Sequence, residues 1–161
     1  MKLLTLVRHG KSSWQYDVDD RDRPLKKRGI KDANLVSMAL KSHYKEPDMV
    51  FSSPANRALS TAKIFVENLN INPNTFEVVD ELYDFGGDNV IRFFKALPSD
   101  YKNIMIFGHN HAFTSICNIF GDTFIDNLPT SALVCIKFEV ESWAAIDKGT
   151  TETMIFPRDL K

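Results

Sequence analysis

The chain reads as a three-layer α/β/α fold with a mostly parallel central sheet and at least one antiparallel strand. Three observations predict this. Strand-like and helix-like segments alternate through the first two-thirds of the chain, the pattern of a parallel sheet covered on both faces. The last two strand-like runs, 132–139 and 151–156, have no helix between them, so they are expected to pair as a hairpin. Finally, 161 residues of which 43% are hydrophobic, with 12 Phe, suit one domain spanning 1–161 with a substantial core.

The elements follow in order. Residues 2–7, which carry the apolar run Leu3-Leu4-Thr5-Leu6-Val7, read as a buried strand. Residues 8–24 form a long polar loop carrying Asp17, Asp19, Asp20, Arg21, Asp22 and Arg23, closed by Pro24. A helix is expected from Leu25 to about Tyr44, because Ile30, Ala33, Val36, Ala39 and Leu40 recur at helical spacing. Pro47 ends the connection, and Asp48–Phe51 is a short strand. Ser52-Ser53-Pro54 then opens a second helix, with Ser53 as its cap and Pro54 at its first position, running to about Leu69. A turn at Asn70–Asn74 leads to a strand at Thr75–Val79, then a loop with Gly86-Gly87, then a helix at Asn89–Ala96 stopped by Pro98. Asn103–Phe107 is a strand, and a helix from about Ala112 to Phe120 follows Gly108-His109-Asn110.

Composition removes several function classes. Lys and Arg number 20 and Asp and Glu 21, so the net charge of −1 gives no support for a nucleic-acid or membrane-surface role. No apolar stretch approaches the ~18 residues of a spanning helix. Met1-Lys2-Leu3 runs straight into the first strand without the pattern of a secretory leader. Cys117 and Cys135 sit inside apolar runs and read as reduced core thiols, which makes the cytoplasm the expected compartment. Neither has a CxxC or Cys/His cluster beside it, and no carboxylates show ligand spacing, so no metal or other cofactor is expected.

Three strand ends carry the chemistry. The first gives Arg8-His9-Gly10, the second Ser52 through Arg57, and the fourth Gly108-His109-Asn110-His111. In a parallel sheet these ends share one edge, where open α/β folds place ligands. Gly10 permits a tight turn and close approach of an anion to backbone N–H groups. A histidine among cations can attack a phosphoryl group, since the cations neutralise the charge on its oxygens. Arg57, one turn into its helix, would point its fork back toward the sheet edge at the positive helix end. His9 must be neutral to attack, whereas His109 is more useful protonated.

The same segments resemble the histidine phosphatase superfamily, the phosphoglycerate mutase-like fold. The resemblance is carried by Leu6-Val7-Arg8-His9-Gly10, by Ser52-Ser53-Pro54 with Arg57-Ala58 and Thr61-Ala62, by Gly108-His109-Asn110, and by Asp22-Arg23-Pro24-Leu25-Lys26-Lys27-Arg28-Gly29. It covers nearly the whole chain, and its short length is most similar to the SixA-type phosphohistidine phosphatase branch. It implies that His9 is the nucleophile and forms a phosphohistidine, with Arg8, Arg57 and His109 lining the phosphate pocket. Gly10 and Ser12 fall where the family touches phosphate. Gln15 stands where an asparagine is common, and Lys11 either adds a cation or points to solvent. The glutamate that many members use as a general acid after the third strand has no match in context; Glu81 and Asp84 are the candidates, or else part of an ordinary acidic loop. An alkoxide leaving group needs such an acid more than a phosphoramidate does. The short span from Leu69 to Asn103 also leaves no room for a long lid. The resemblance therefore implies a metal-independent phosphatase acting at an open site on protein phosphohistidine. The alternatives are a small phosphorylated substrate, a mutase-type phosphotransfer, or a non-catalytic phosphate-binding module.

Overall fold

The computed structural model describes residues 1–161. Its elements are β1 (Lys2–Arg8), α1 (Lys27–Leu40), β2 (Met49–Ser52), α2 (Asn56–Asn68), β3 (Phe76–Val78), α3 (Asp88–Lys95), β4 (Asn103–Gly108), α4 (Ala112–Phe120), β5 (Leu133–Phe138) and β6 (Thr150–Ile155). One sheet runs in the order β3-β2-β4-β1-β5-β6. β1, β2, β3 and β4 are parallel, whereas β5 is antiparallel to both β1 and β6. The mostly parallel sheet and the closing hairpin expected from the sequence are both present.

Helices cover both faces. On one face Leu4 and Leu6 of β1 and Ile104 and Ile106 of β4 pack with Val90 and Phe94 of α3 and Phe113, Ile116 and Phe120 of α4. On the other, Val7, Met105 and Phe107 pack with Ala33, Val36 and Leu40 of α1 and Ala62 and Phe65 of α2. Side chains alternate across a strand, so a strand apolar on both faces reads as an unbroken apolar run.

Two helix starts differ from expectation. α1 begins at Lys27 rather than Leu25, because Leu25 pairs with Ser12 and the Lys26 N–H donates to the Lys11 carbonyl at 2.8 Å. These bonds hold 24–26 extended. Ile30, read as part of the apolar face, is exposed instead. α2 begins at Asn56 with Ala55 as its cap, not at Ser53-Pro54. Where β1 hands over to its loop, a Cβ on Gly10 would lie 2.9 Å from the Gly29 carbonyl oxygen, so two backbones cross there with no room for a side chain. Cys117 is buried and Cys135 half-buried, and both are unpaired. No helix is long and apolar enough to cross a membrane.

The parallel register sets up the site. Arg8 lies beside Gly108 and Ser52 beside Phe107, so β1, β2 and β4 end at one edge.

Candidate active site

His9 is the first residue beyond β1, and its N–H donates to the Gly108 carbonyl at 3.1 Å. Its ring Nδ1 lies 2.7 Å from the Gly10 carbonyl oxygen. A carbonyl can only accept, so Nδ1 carries the proton and Nε2 carries the lone pair. Arg57 Nε donates to that lone pair at 3.3 Å. The Gly10 N–H in turn donates to Thr61 Oγ1 at 2.9 Å, which ties the turn to α2.

Arg57 is buried at 2% exposure although it stands in the first turn of α2. Its guanidinium is shared out: Nη1 donates to the Asp20 carbonyl at 2.6 Å and Nη2 to Asp20 Oδ2 at 2.9 Å. Arg8 donates through Nη1 to the Leu128 carbonyl at 2.7 Å, and its Nε is buried without a partner. Arg23, read from the sequence as part of a solvated loop, is buried instead. Its Nη2 donates to Ser12 Oγ at 2.8 Å, its Nε lies 3.3 Å from Asp20 Oδ1, and its guanidinium carbon sits 3.4 Å from the Trp14 ring centre.

His109 follows β4 and is fully buried. Its Nε2 is 2.8 Å from Ser53 Oγ, which also accepts from the Ala55 N–H at 3.2 Å. Serving these two groups is why Ser53 lies ahead of the helix rather than capping it. The His109 ring packs against His9 at 5.2 Å, Tyr83 at 5.3 Å and Phe85 at 4.9 Å between centres.

Electrostatics make both imidazoles neutral. Burial drives His9 down to about 3; the Gly10 bond opposes this, while the charges of Arg57 and Arg8, and of His109 when it is protonated, lower it further. Burial and then Arg57 take His109 to about 3 as well. Against the expectation of a protonated His109, burial beside guanidinium groups favours the neutral ring. Burial alone would raise Asp20, but hydrogen bonds from Tyr83 and Arg57 and the charges of Arg57 and Arg23 outweigh it and hold the carboxyl below its usual range.

Thus Arg8, His9, Gly10, Arg57 and His109 come together at one sheet edge. Ser12 is adjacent, with its hydroxyl holding Arg23. Gln15 is exposed, its backbone N–H bonded to Ser13 Oγ, and is not brought into the cluster. Lys11 and Glu81 are exposed. Asp84 is engaged elsewhere: its carboxylate accepts from the backbone N–H groups of Gly86, Gly87, Asn89 and Val90 at 3.0–3.2 Å, capping α3. Sequence reasoning did not single out Ser53, Tyr83, Asp20 or Arg23 as site groups. The only signal for Arg23 was its place in the Asp22–Gly29 segment that carries part of the resemblance; one aspartate among four in 17–22 carries none. What the arrangement offers is a neutral nitrogen lone pair facing a buried guanidinium, with two more guanidinium groups and a second imidazole around it. That combination suits a tetrahedral oxyanion attacked from the imidazole side.

Comparison with known proteins bears on the family and the fold. The family model of the histidine phosphatase superfamily (branch 1) matches residues 4–89. An uncharacterized protein of Mycobacterium tuberculosis is 23% identical over 153 residues, 89% of this chain and 93% of the relative. Among solved structures, the protein histidine phosphatase SixA complexed with tungstate superposes with a TM-score of 0.79 at 24% identity, covering 99% of both chains. A mycobacterial glucosyl-3-phosphoglycerate phosphatase complexed with VO3 superposes with a TM-score of 0.68 at 12% identity, covering 95% of this chain and 98% of the other.

Proposed function

The chain belongs to the histidine phosphatase superfamily, and on that footing we propose that it is a phosphatase whose nucleophile is His9 and whose preferred substrate is a phosphohistidine on another protein. The observation that carries the nucleophile is the fixed tautomer: the Gly10 carbonyl accepts a hydrogen bond from Nδ1–H, which leaves the lone pair on Nε2, where the Arg57 Nε–H must give way for attack. In the first step Nε2 forms a bond to phosphorus as the bond to the leaving group breaks. Arg57, Arg8 and Arg23 face the charge spread over the phosphoryl oxygens, and His109 offers a further contact from across the pocket. Water then displaces Nε2 from phosphorus and releases phosphate. These guanidinium groups supply positive charge that never titrates away at neutral pH.

Two features support a protein substrate. The wall facing His109 includes Phe85, which is 47% exposed, so an aromatic face beside the site is available to a protein surface. Between α2 and β4 the chain spends its residues on β3 and the eight-residue α3, with no insertion to close over a small ligand. SixA, by its name, acts on protein histidine. The small-molecule reading is favoured by the likeness to the glucosyl-3-phosphoglycerate phosphatase. Two unpaired cysteines agree with a reducing cytoplasm.

The decisive experiment is covalent trapping. Incubation with a labelled phosphodonor should give an acid-labile, base-stable phosphoenzyme that disappears in His9→Ala; a label that survives this substitution rules out His9. Comparing kcat/KM for a phosphohistidine protein and a primary alkyl phosphate then tests the substrate, since a large preference for the alkyl ester would reject the protein reading.

A further inference from the structure

We propose that Asp20 is a resident anion that phosphate displaces from Arg57 and that then serves as the proton donor to the leaving group. The proposal rests on the reading of His9 as nucleophile given above.

Nε of Arg57 is bonded to His9 Nε2 and Nη2 to Asp20 Oδ2, so the imidazole and the carboxylate occupy the two positions on one edge of the fork. Phosphate oxygens fit that edge bidentately. A phosphoryl group attacked by His9 must therefore take a donor that Asp20 now holds. Asp20 is the yielding side of the pair: it is 42% exposed against 2% for Arg57, and it sits in a three-residue 3-10 turn, Asp20–Asp22, none of whose residues is buried.

The remaining surroundings of Asp20 point the same way. Arg23 from its own loop faces Oδ1 at 3.3 Å, and the Tyr83 hydroxyl donates to Oδ2 at 2.5 Å. His109 lies on the far side of Tyr83 and feels the Asp20 charge. Once dianionic phosphate holds Arg57, the carboxylate loses its strongest partner and gains a like charge. Both changes favour its protonated form, and Tyr83 keeps it at the pocket. Neither carboxyl expected from the sequence is placed to do this: Asp84 is consumed by four N–H groups and Glu81 is exposed with no bond into the cluster.

The step balances. As Nε2 donates its pair to phosphorus, the P–O bond breaks toward oxygen and the Asp20 carboxyl proton moves to that oxygen, leaving a carboxylate and a neutral alcohol. In the second step that carboxylate accepts a proton from the attacking water as the P–N bond breaks back onto Nε2. A phosphohistidine leaves as neutral imidazole when its other nitrogen carries a proton, so its departure draws little on Asp20. Help from Asp20 therefore matters for esters and little for phosphoramidates.

The test is the leaving-group dependence of kcat/KM in wild type and Asp20→Asn. Nitrophenyl phosphate, phenyl phosphate, a primary alkyl phosphate and a phosphohistidine protein form the series. The variant should lose about 100-fold on the alkyl ester and little on the nitrophenyl ester or phosphohistidine, while binding tungstate at least as tightly as wild type. Equal loss across the series, no loss, a gain on every substrate, or loss of tungstate binding would each overturn the proposal. Labelling of His9 separates the two readings: a wild type that forms no phosphoenzyme sinks the nucleophile, whereas normal labelling with an unchanged leaving-group dependence sinks Asp20 alone.

Discussion

At the scale of the residue, the site depends on donors that have geometry as well as charge. Arg57 sends three separate nitrogens to two neighbours, which a single ammonium cannot imitate. Arg57→Lys should therefore keep the fold and the charge yet lower kcat/KM by about 100-fold, measured on any substrate the wild type accepts; a variant within a few-fold of wild type would show that charge alone suffices. The residues legible in the sequence were those at strand ends, since Arg8, His9 and His109 are placed by the backbone that precedes them. Asp20 and Tyr83 were not legible, because their meaning lies in a contact between positions 63 residues apart. Nothing local separates Asp20 from Asp17, Asp19 or Asp22.

At the scale of the element, Asp84 illustrates how a carboxylate can look catalytic and be structural. It precedes the Gly86-Gly87 turn, and Gly87 adopts a φ of 107° as the residue before α3. That turn aims several backbone N–H groups at one carboxylate. Asp84→Ala should cost about 1–2 kcal/mol of stability, read from urea unfolding, while kcat/KM on a phosphohistidine protein and an alkyl ester stays near wild type. A selective loss on the ester would restore Asp84 as an acid. Helix existence was readable from the 3.6-residue period, but helix starts were not. Leu25 and Ser53 both carry start signals, and each is drawn into a longer-range bond, to Ser12 and to His109 respectively. Tertiary hydrogen bonds of this kind outweigh local preference.

At the scale of the whole molecule, parallel and antiparallel pairing meet at β1, which is bonded along its length to β4 on one side and β5 on the other. This arrangement was legible because continuous apolar runs alternate with amphipathic helices and then stop doing so. Burying two neutral histidines at its edge links folding to pH. Each has a folded pKa near 3 against an ordinary value of about 6.5, so between those values the unfolded chain binds more protons. Stability is then fully present above about pH 6.5 and falls as pH drops toward 3. Urea unfolding should show about 2 kcal/mol lost per histidine by pH 5, with a shallower slope in His109→Asn; an unchanged slope in that variant would remove His109 from the account. His9 extends from the most constrained segment of the sheet, while Asp20 sits on a short turn that buries none of its residues. Under the displacement proposed for Asp20, the pocket works as a vice with one fixed jaw and one moving jaw. The ordering cost of admitting a ligand falls on a few residues of the moving side, and the attacking atom need not be re-aimed at each turnover.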